Sequence, residues 1–214
     1  MHDYMVPPID VESVNLATVE WKTEFDVTST LRDMGHDVHT LGVKDDLGVI
    51  RQAVDGFKPQ IAFNLMEAFH EIGAFDMNVV SYLELLRLAY TGCNPRGMVL
   101  SRDKALSKQL MTYHRIPVPE FTVFRRGRAI KIPHRLKFPA IVKSLTQEAS
   151  IGIAQASVVE EEAKLKERVK FVHESIGTDA IVERYIDGRE FYVGILGNER
   201  LQVFPVWEME FGKM

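Results

Sequence analysis

The chain has 214 residues, somewhat more than one typical domain, which favours two small lobes or one domain with an extension. With 46% hydrophobic and 26% charged residues, a wholly disordered, collagenous or membrane-embedded chain is excluded. Lys and Arg number 26 against 30 Asp and Glu, and a net charge of -4 is too balanced for a protein that lives mainly on nucleic-acid phosphates, although local basic sites for small anions stay open.

The single cysteine, Cys93, has no partner for an internal disulfide and points to a reducing compartment. Met1 to Pro8 lacks a basic stretch followed by an apolar one, so no signal peptide is expected, and no run approaches the ~18 apolar residues of a membrane span. The expectation is a cytoplasmic protein with neither membrane nor nucleic-acid partner.

Val19 to Met34 places Trp21, Phe25, Thr28 and Leu31 at helical spacing, with Gly35 as a left-handed stop. A short strand through Val38 and Leu41 is expected next, then a helix burying Val49, Ile50, Ala53, Val54 and Phe57. Ile61 to Leu65 reads as a strand, Val79 to Leu86 as a third helix and Ala89 to Thr91 as another strand. Alternation of this kind argues for a parallel sheet wound with helices. Such sheets normally begin with a strand, whereas this chain begins with a polar, proline-containing segment, so a first strand is expected to be missing.

The character changes after Gly92. A helix from Arg102 to Tyr113, a strand ending at Lys143, a charged helix from Glu160 to Glu174, and strands at Ala180 to Glu183 and Glu190 to Leu196 form a small α+β lobe. Gly197-Asn198 is a hairpin signal. The boundary is placed near residue 95.

No Walker loop, G-x-G-x-x-G fingerprint or H-E-x-x-H motif occurs. His36 and His39 fall on opposite faces of an extended segment, which speaks against a metal site there. Lys143 closes the apolar run Phe138 to Val142, where an ammonium needs an anion, and the hydroxyl-bearing loop Ser144 to Gly152 follows it. Such a loop can surround phosphate oxygens with N–H and O–H donors. An ordinary surface loop behind a solvated lysine is the competing reading. Two strand-like stretches joined at Asp187-Gly188 place Glu183 before the joint and Glu190 after it. They read either as a hairpin with solvated acids or as a connector whose free backbone groups recognise a flat heterocycle while a carboxylate takes ribose hydroxyls.

Five stretches together carry a resemblance: Phe63-Asn-Leu-Met-Glu67 with Glu71 and Gly73; Tyr90-Thr-Gly92; Asp103-Lys104-Ala-Leu-Ser-Lys108; Phe138-Pro-Ala-Ile-Val-Lys143 through Ser150-Ile-Gly152; and Val182-Glu183 through Gly188-Arg-Glu190. From about Asp37 to Leu196 the chain resembles the ATP-grasp superfamily, in its D-alanine-D-alanine ligase branch. The resemblance implies an α/β fold in which a parallel pre-ATP-grasp domain, 1–95, precedes a partial α+β ATP-grasp domain, 96–214. It implies that Lys104 and Lys143 touch ATP phosphates under the loop Ser144 to Gly152. It further implies that backbone groups of Glu183 and Ile186 hold adenine, and that Glu190 takes the ribose. On the substrate side, Ser150 and Glu71 are implied to orient a first amino acid. The implied reaction forms an acylphosphate from ATP and a carboxylate, which an amine then attacks, with Mg2+ assisting and a homodimer left open.

Departures from the family pattern are visible. The loop reads Gln147-Glu-Ala-Ser150 where the family has Glu-Gly-Ser-Ser, Met66 stands where the family usually has His, and the N-terminal pattern that helps bind the first amino acid is not recognisable, leaving Glu20 or Glu24 as candidate substitutes. The family's metal-binding acids and a catalytic Arg are expected beyond Met214, so the resemblance implies an incomplete segment, inactive alone. A nucleotide-binding module without chemistry and a ligase for another amino acid are the alternative readings.

Overall fold

The computed structural model describes residues 1–11, 14–148 and 151–210. Helix α1 (Lys22–Asp33) stops at Gly35, whose φ of 86° lets its N–H reach Arg32 O while His36 N–H reaches Leu31 O. Helix α2 (Gly48–Phe57) leads into β1 (Ile61–Ala62), and α3 (Asp76–Leu85) into β2 (Ala89–Tyr90). Strands β1 and β2 pair in parallel, as a wound sheet requires. The segment 38–41 forms no strand; its nearest ladder contact is a parallel bridge between Val43 and His2. Among the described residues no backbone neighbour pairs with residues 38–40, so the expected strand through Val38 and Leu41 does not form.

The helix expected from Arg102 to Tyr113 is present as Lys104–Tyr113, and ahead of it stands a helix that the sequence reading did not include. Asn94 accepts from Gly97 N–H to cap α4 (Pro95–Arg102), with Pro95 in the first turn, where it lacks nothing the helix needs. Asp103 then turns extended, at ψ 100°, and its side chain accepts from Ala105 and Leu106 N–H to start α5 (Lys104–Tyr113). The Asp-Lys pair inside an apolar pattern is therefore a break and a new cap rather than a helix interior.

Beyond α5 lies an antiparallel sheet ordered β3 (Phe121–Phe124), β6 (Ala180–Arg184), β4 (Ala140–Ser144), β5 (Val158–Val159). Helix α6 (Glu162–Phe171) and the π turn Val172–Ile176 cover one face of it. Leu165, Val169 and Val172 pack there against Ala140, Val142, Ala180 and Val182, all essentially solvent-free. Alternation along β4, buried at Ala140, Val142 and Ser144, turns Ile141 and Lys143 to the opposite face. A second core, drawn from residues 41–90, gathers Val43, Ile50, Met66, Val79 and Leu83.

The expected strand Glu190 to Leu196 is divided. Strand β7 (Glu190–Tyr192) pairs with β10 (Trp207–Met209), whereas β8 (Ile195–Leu196) and β9 (Gln202–Val203) form the hairpin announced by Gly197-Asn198. Every residue from 184 to 210 is exposed, including Phe191, Leu196 and Trp207. No helix among the described residues is long and apolar enough to cross a membrane.

Candidate active site

The open face of the four-stranded sheet receives α5. Ala105 docks on Leu145 and Ile181, with Phe121 and Val123 around them, and this seats Lys104 and Lys108, one helical turn apart, over the strands. Lys108 Nζ lies 3.3 Å and Lys143 Nζ 3.6 Å from the same atom, Glu183 Oε2. Glu183 is buried, with 4% of its surface exposed, and two ammonium groups face its carboxylate. Lys104 Nζ donates to Gln147 O at 2.6 Å. Burial pushes the Lys104 ammonium below the ordinary lysine range; Glu148 and Glu183 oppose that shift, while Lys143 and Arg102 add to it. Two lysines thus meet one carboxylate while a third, Lys104, is bonded to Gln147 O near them, and Lys104 and Lys143 were candidates from the sequence.

The loop behind Lys143 is fastened at both ends. Ser144 Oγ meets Thr178 Oγ1 at 2.8 Å and accepts from Gln147 N–H, while Leu145 N–H donates to Asp179 O. At the far end Arg168 donates to Gly152 O and to Ser157 Oγ, and stacks on Phe171. Gly152 has φ 71°, and a Cβ there would sit 2.0 Å from Ile176 Cδ1. The candidate Ser150 lies outside the described residues.

Glu183 occupies the middle of the ladder, opposite Phe121 on β3 and Ile141 on β4. Arg184 N–H donates to Glu120 O and Tyr185 N–H to Pro139 O, so both of these N–H groups are taken. Free backbone begins at Ile186, which is exposed and makes no backbone hydrogen bond among the described residues. Glu190 is exposed on β7, and its carboxylate accepts from Tyr192 Oη at 2.5 Å. Of the two residues expected to offer backbone to a heterocycle, Ile186 has it to give, and Glu183 contributes its side chain to the lysines.

The earlier stretches are tied to one another. Thr91 N–H donates to Ala62 O, and Asn64 N–H to Thr91 Oγ1, which joins the Phe63 to Glu67 and Tyr90 to Gly92 segments. Glu71 and His70 both hold left-handed φ, 60° and 55°, in a tight turn closed by Phe69 and Ile72. That turn is braced by Arg102, which donates to the buried Asp76 carboxylate and to Glu67 O. Glu71 is exposed, and no hydrogen bond or ion pair joins it to the lysine cluster among the described residues.

The model of the D-Ala D-Ala ligase C-terminus matches residues 110–213, the stretch that carries Lys143, Glu183, Ile186 and Glu190. Over 186 residues the chain is 30% identical to the D-alanine–D-alanine ligase of Desulforudis audaxviator, covering 86% of this chain and 58% of that protein. The chain belongs to the ATP-grasp superfamily, in its D-alanine–D-alanine ligase-like branch. It is also 35% identical over 195 residues to the Sinorhizobium fredii protein y4sG, covering 87% of this chain and 55% of that one. Among solved structures, the Bacillus anthracis D-alanine–D-alanine ligase complexed with ATP superposes with a TM-score of 0.72 at 18% identity, over 90% of this chain and 61% of that one, which speaks for the ATP-grasp fold. The chain therefore spans a little over half the length of the curated relatives it matches.

Two residues of the site carried no role in the sequence reading. Lys108 could have been found from its spacing of four from Lys104 on one helix. Arg102 had no such signal, because its partner Asp76 is far away in sequence.

Proposed function

We propose that the chain is the nucleotide-holding segment of an ATP-dependent ligase that activates a carboxylate and joins it to an amine. The observation that carries this reading is the pairing of Lys108 and Lys143 with the buried Glu183, within the electrostatic reach of Lys104 and three residues ahead of the free backbone at Ile186. An ammonium 3.6 Å from its carboxylate keeps donor directions open, and phosphate oxygens fit them. In this reading Lys104 and Lys143 face the phosphates, the loop Ser144 to Gly152 covers them, Ile186 offers its backbone to adenine and Glu190 its carboxylate to ribose. Glu183 keeps the lysine heads in place before the nucleotide arrives and between turnovers.

Charge neutralisation is the main work such a site performs on a transferring phosphoryl group. Mg2+, when bound, would add to it. Among the described residues no group of three or more His, Cys, Asp or Glu stands where it could hold a metal ion, so the lysines are the cations this segment brings. The division into units 1–95 and 96–214 belongs to the same proposal, as does an amino acid for the carboxylate substrate, with Glu71 and Ser150 on its side of the site.

Calorimetric titration with MgATP tests the nucleotide site, and a single saturable site is expected; absence of binding overturns the reading. Phosphate release across a panel of D- and L-amino acids, measured on a longer form of the protein, tests the chemistry. Nucleotide binding with no amino-acid-dependent release would favour a binding module without catalysis.

A further inference from the structure

The corner between α4 and α5 reaches in two directions. Arg102 closes α4, Asp103 caps α5 and Lys104 opens it. On one side Arg102 donates to the Asp76 carboxylate and to Glu67 O. On the other, Lys104 N–H donates to Leu145 O and its ammonium to Gln147 O, both in the segment behind Lys143. Ser107 Oγ donates to Leu100 O and closes the two helices on each other.

The guanidinium has a shaped seat. Asp76, the first residue of α3, is buried, and its Oδ1 accepts from Met77 N–H while Oδ2 takes the arginine. The Arg102 side chain is itself only 15% exposed. Gly73 lies against the same group: a Cβ there would come within 3.0 Å of Arg102 Nη1, so the glycine gives the arginine its room. A buried ion pair offsets its desolvation only in good geometry, and the same geometry fixes where the corner sits. Arg102 spends its charge on Asp76, whereas Lys104 bonds a carbonyl oxygen and has no carboxylate at ion-pair distance among the described residues. Burial is the main cause that lowers the pKa of the Lys104 ammonium, and Arg102 is close enough to add to it.

We propose that Arg102 is a positioning residue: anchored on Asp76 and Glu67 O, it holds the start of α5 so that the Lys104 ammonium stands ready for the phosphates of the nucleotide. That role rests on the nucleotide reading, and it belongs to a residue that touches no nucleotide. A lysine on a flexible stem loses rotamer freedom when it binds an anion, and a fixed first turn beneath it limits that cost. Loosening the anchor therefore weakens the grip on phosphate and leaves the contacts to adenine and ribose, at Ile186 and Glu190, as they were.

The test compares MgATP with adenosine, which lacks the phosphates, by NMR titration of the parent chain and of Arg102→Met. MgATP affinity should fall about tenfold, as the loss of one charge-assisted hydrogen bond implies, while adenosine affinity stays as it is. Arg102→Lys, which keeps a cation opposite Asp76, should recover most of the loss. If Arg102→Met does not fold, Asp76→Asn combined with Arg102→Gln removes both charges, leaves no buried charge alone and should show the same phosphate-specific loss. Equal MgATP affinity in parent and variant overturns the proposal. So does a loss shared in equal measure by adenosine, which would mark a residue that serves the fold alone. A parent chain that binds no MgATP overturns the nucleotide reading itself, and the role of Arg102 with it.

Discussion

Lys108 Nζ stands 3.3 Å from Glu183 Oε2, closer than the strand lysine Lys143 at 3.6 Å. The helix and the sheet are therefore joined by charge as well as by the Ala105 contact, and the carboxylate that joins them is almost free of solvent. Removing one partner from such a group leaves a buried charge uncompensated. Glu183→Gln, which confronts two lysines with a neutral amide, should cost about 3 kcal/mol or more. Lys108→Met leaves Lys143 in place and should cost about 1.5–3 kcal/mol, the range for hydrogen bonds to charged groups. Urea denaturation reads both; unchanged midpoints would remove the cluster from any account of stability.

Lys143→Ala deletes the strand-end ammonium without disturbing the buried face of β4. Besides the stability lost with its ion pair to Glu183, ATP affinity should fall by about 1.5–3 kcal/mol, the size of a charge-assisted hydrogen bond. Calorimetry with the two proteins side by side would show it, and equal dissociation constants would detach Lys143 from the phosphates.

Gly152→Ala puts a methyl group on a residue with φ 71° and drives it into Ile176, a neighbour of the core under α6. The left-handed conformation alone costs about 1–2 kcal/mol for an alanine. Thermal unfolding should reveal a loss of at least that size, and shortening the neighbour with Ile176→Val should restore none of the backbone part. A variant as stable as the parent would mean that the loop end moves freely.

Asp179 supplies a pH dependence with a definite sign. Burial pushes its carboxyl up, but the Arg126 N–H, the Arg125 guanidinium and His173 outweigh burial and hold it below its ordinary 3.8. A carboxyl depressed on folding contributes stability above its unfolded value and loses that contribution as the pH falls through the folded one. The stability difference between the parent and Asp179→Asn should therefore shrink steadily below about pH 3.8, and a constant difference down to pH 2 would show that the carboxyl is not held low.

Much of this was legible in the residues, and the remainder has physical reasons for being hidden. Gly35, the parallel alternation through Ile61 and Ala89, and the Gly197-Asn198 hairpin are local signals, and each formed as local chemistry requires. The helix expected from Arg102 to Tyr113 formed as Lys104–Tyr113, with Asp103 as its cap, whereas α4 ahead of it was missed although Asn94 and Pro95 give it a local start signal. Strand β3 was missed: its four residues pair only with β6, which lies some sixty positions away in sequence. Lys143 announced itself by closing an apolar run, whereas the role of Glu183 as the acceptor of two lysines depends on where α5 docks. That is a tertiary fact, and no spacing within β6 contains it.

Helix α5 bears Lys104 at its first position and Lys108 one turn on, and it rests on the sheet through Ala105. The positions of two cations thus depend on the apolar seat of Ala105 as well as on their own polar contacts. Any side-chain change at Leu145 or Ile181 that lifted the helix by a fraction of an ångström would shift both charges together, as a lever moves everything mounted on one arm. The electrostatic tuning of this site is in that sense delegated to uncharged residues, so variation among apolar positions beneath α5 is a route by which nucleotide affinity changes with every charged residue still in place.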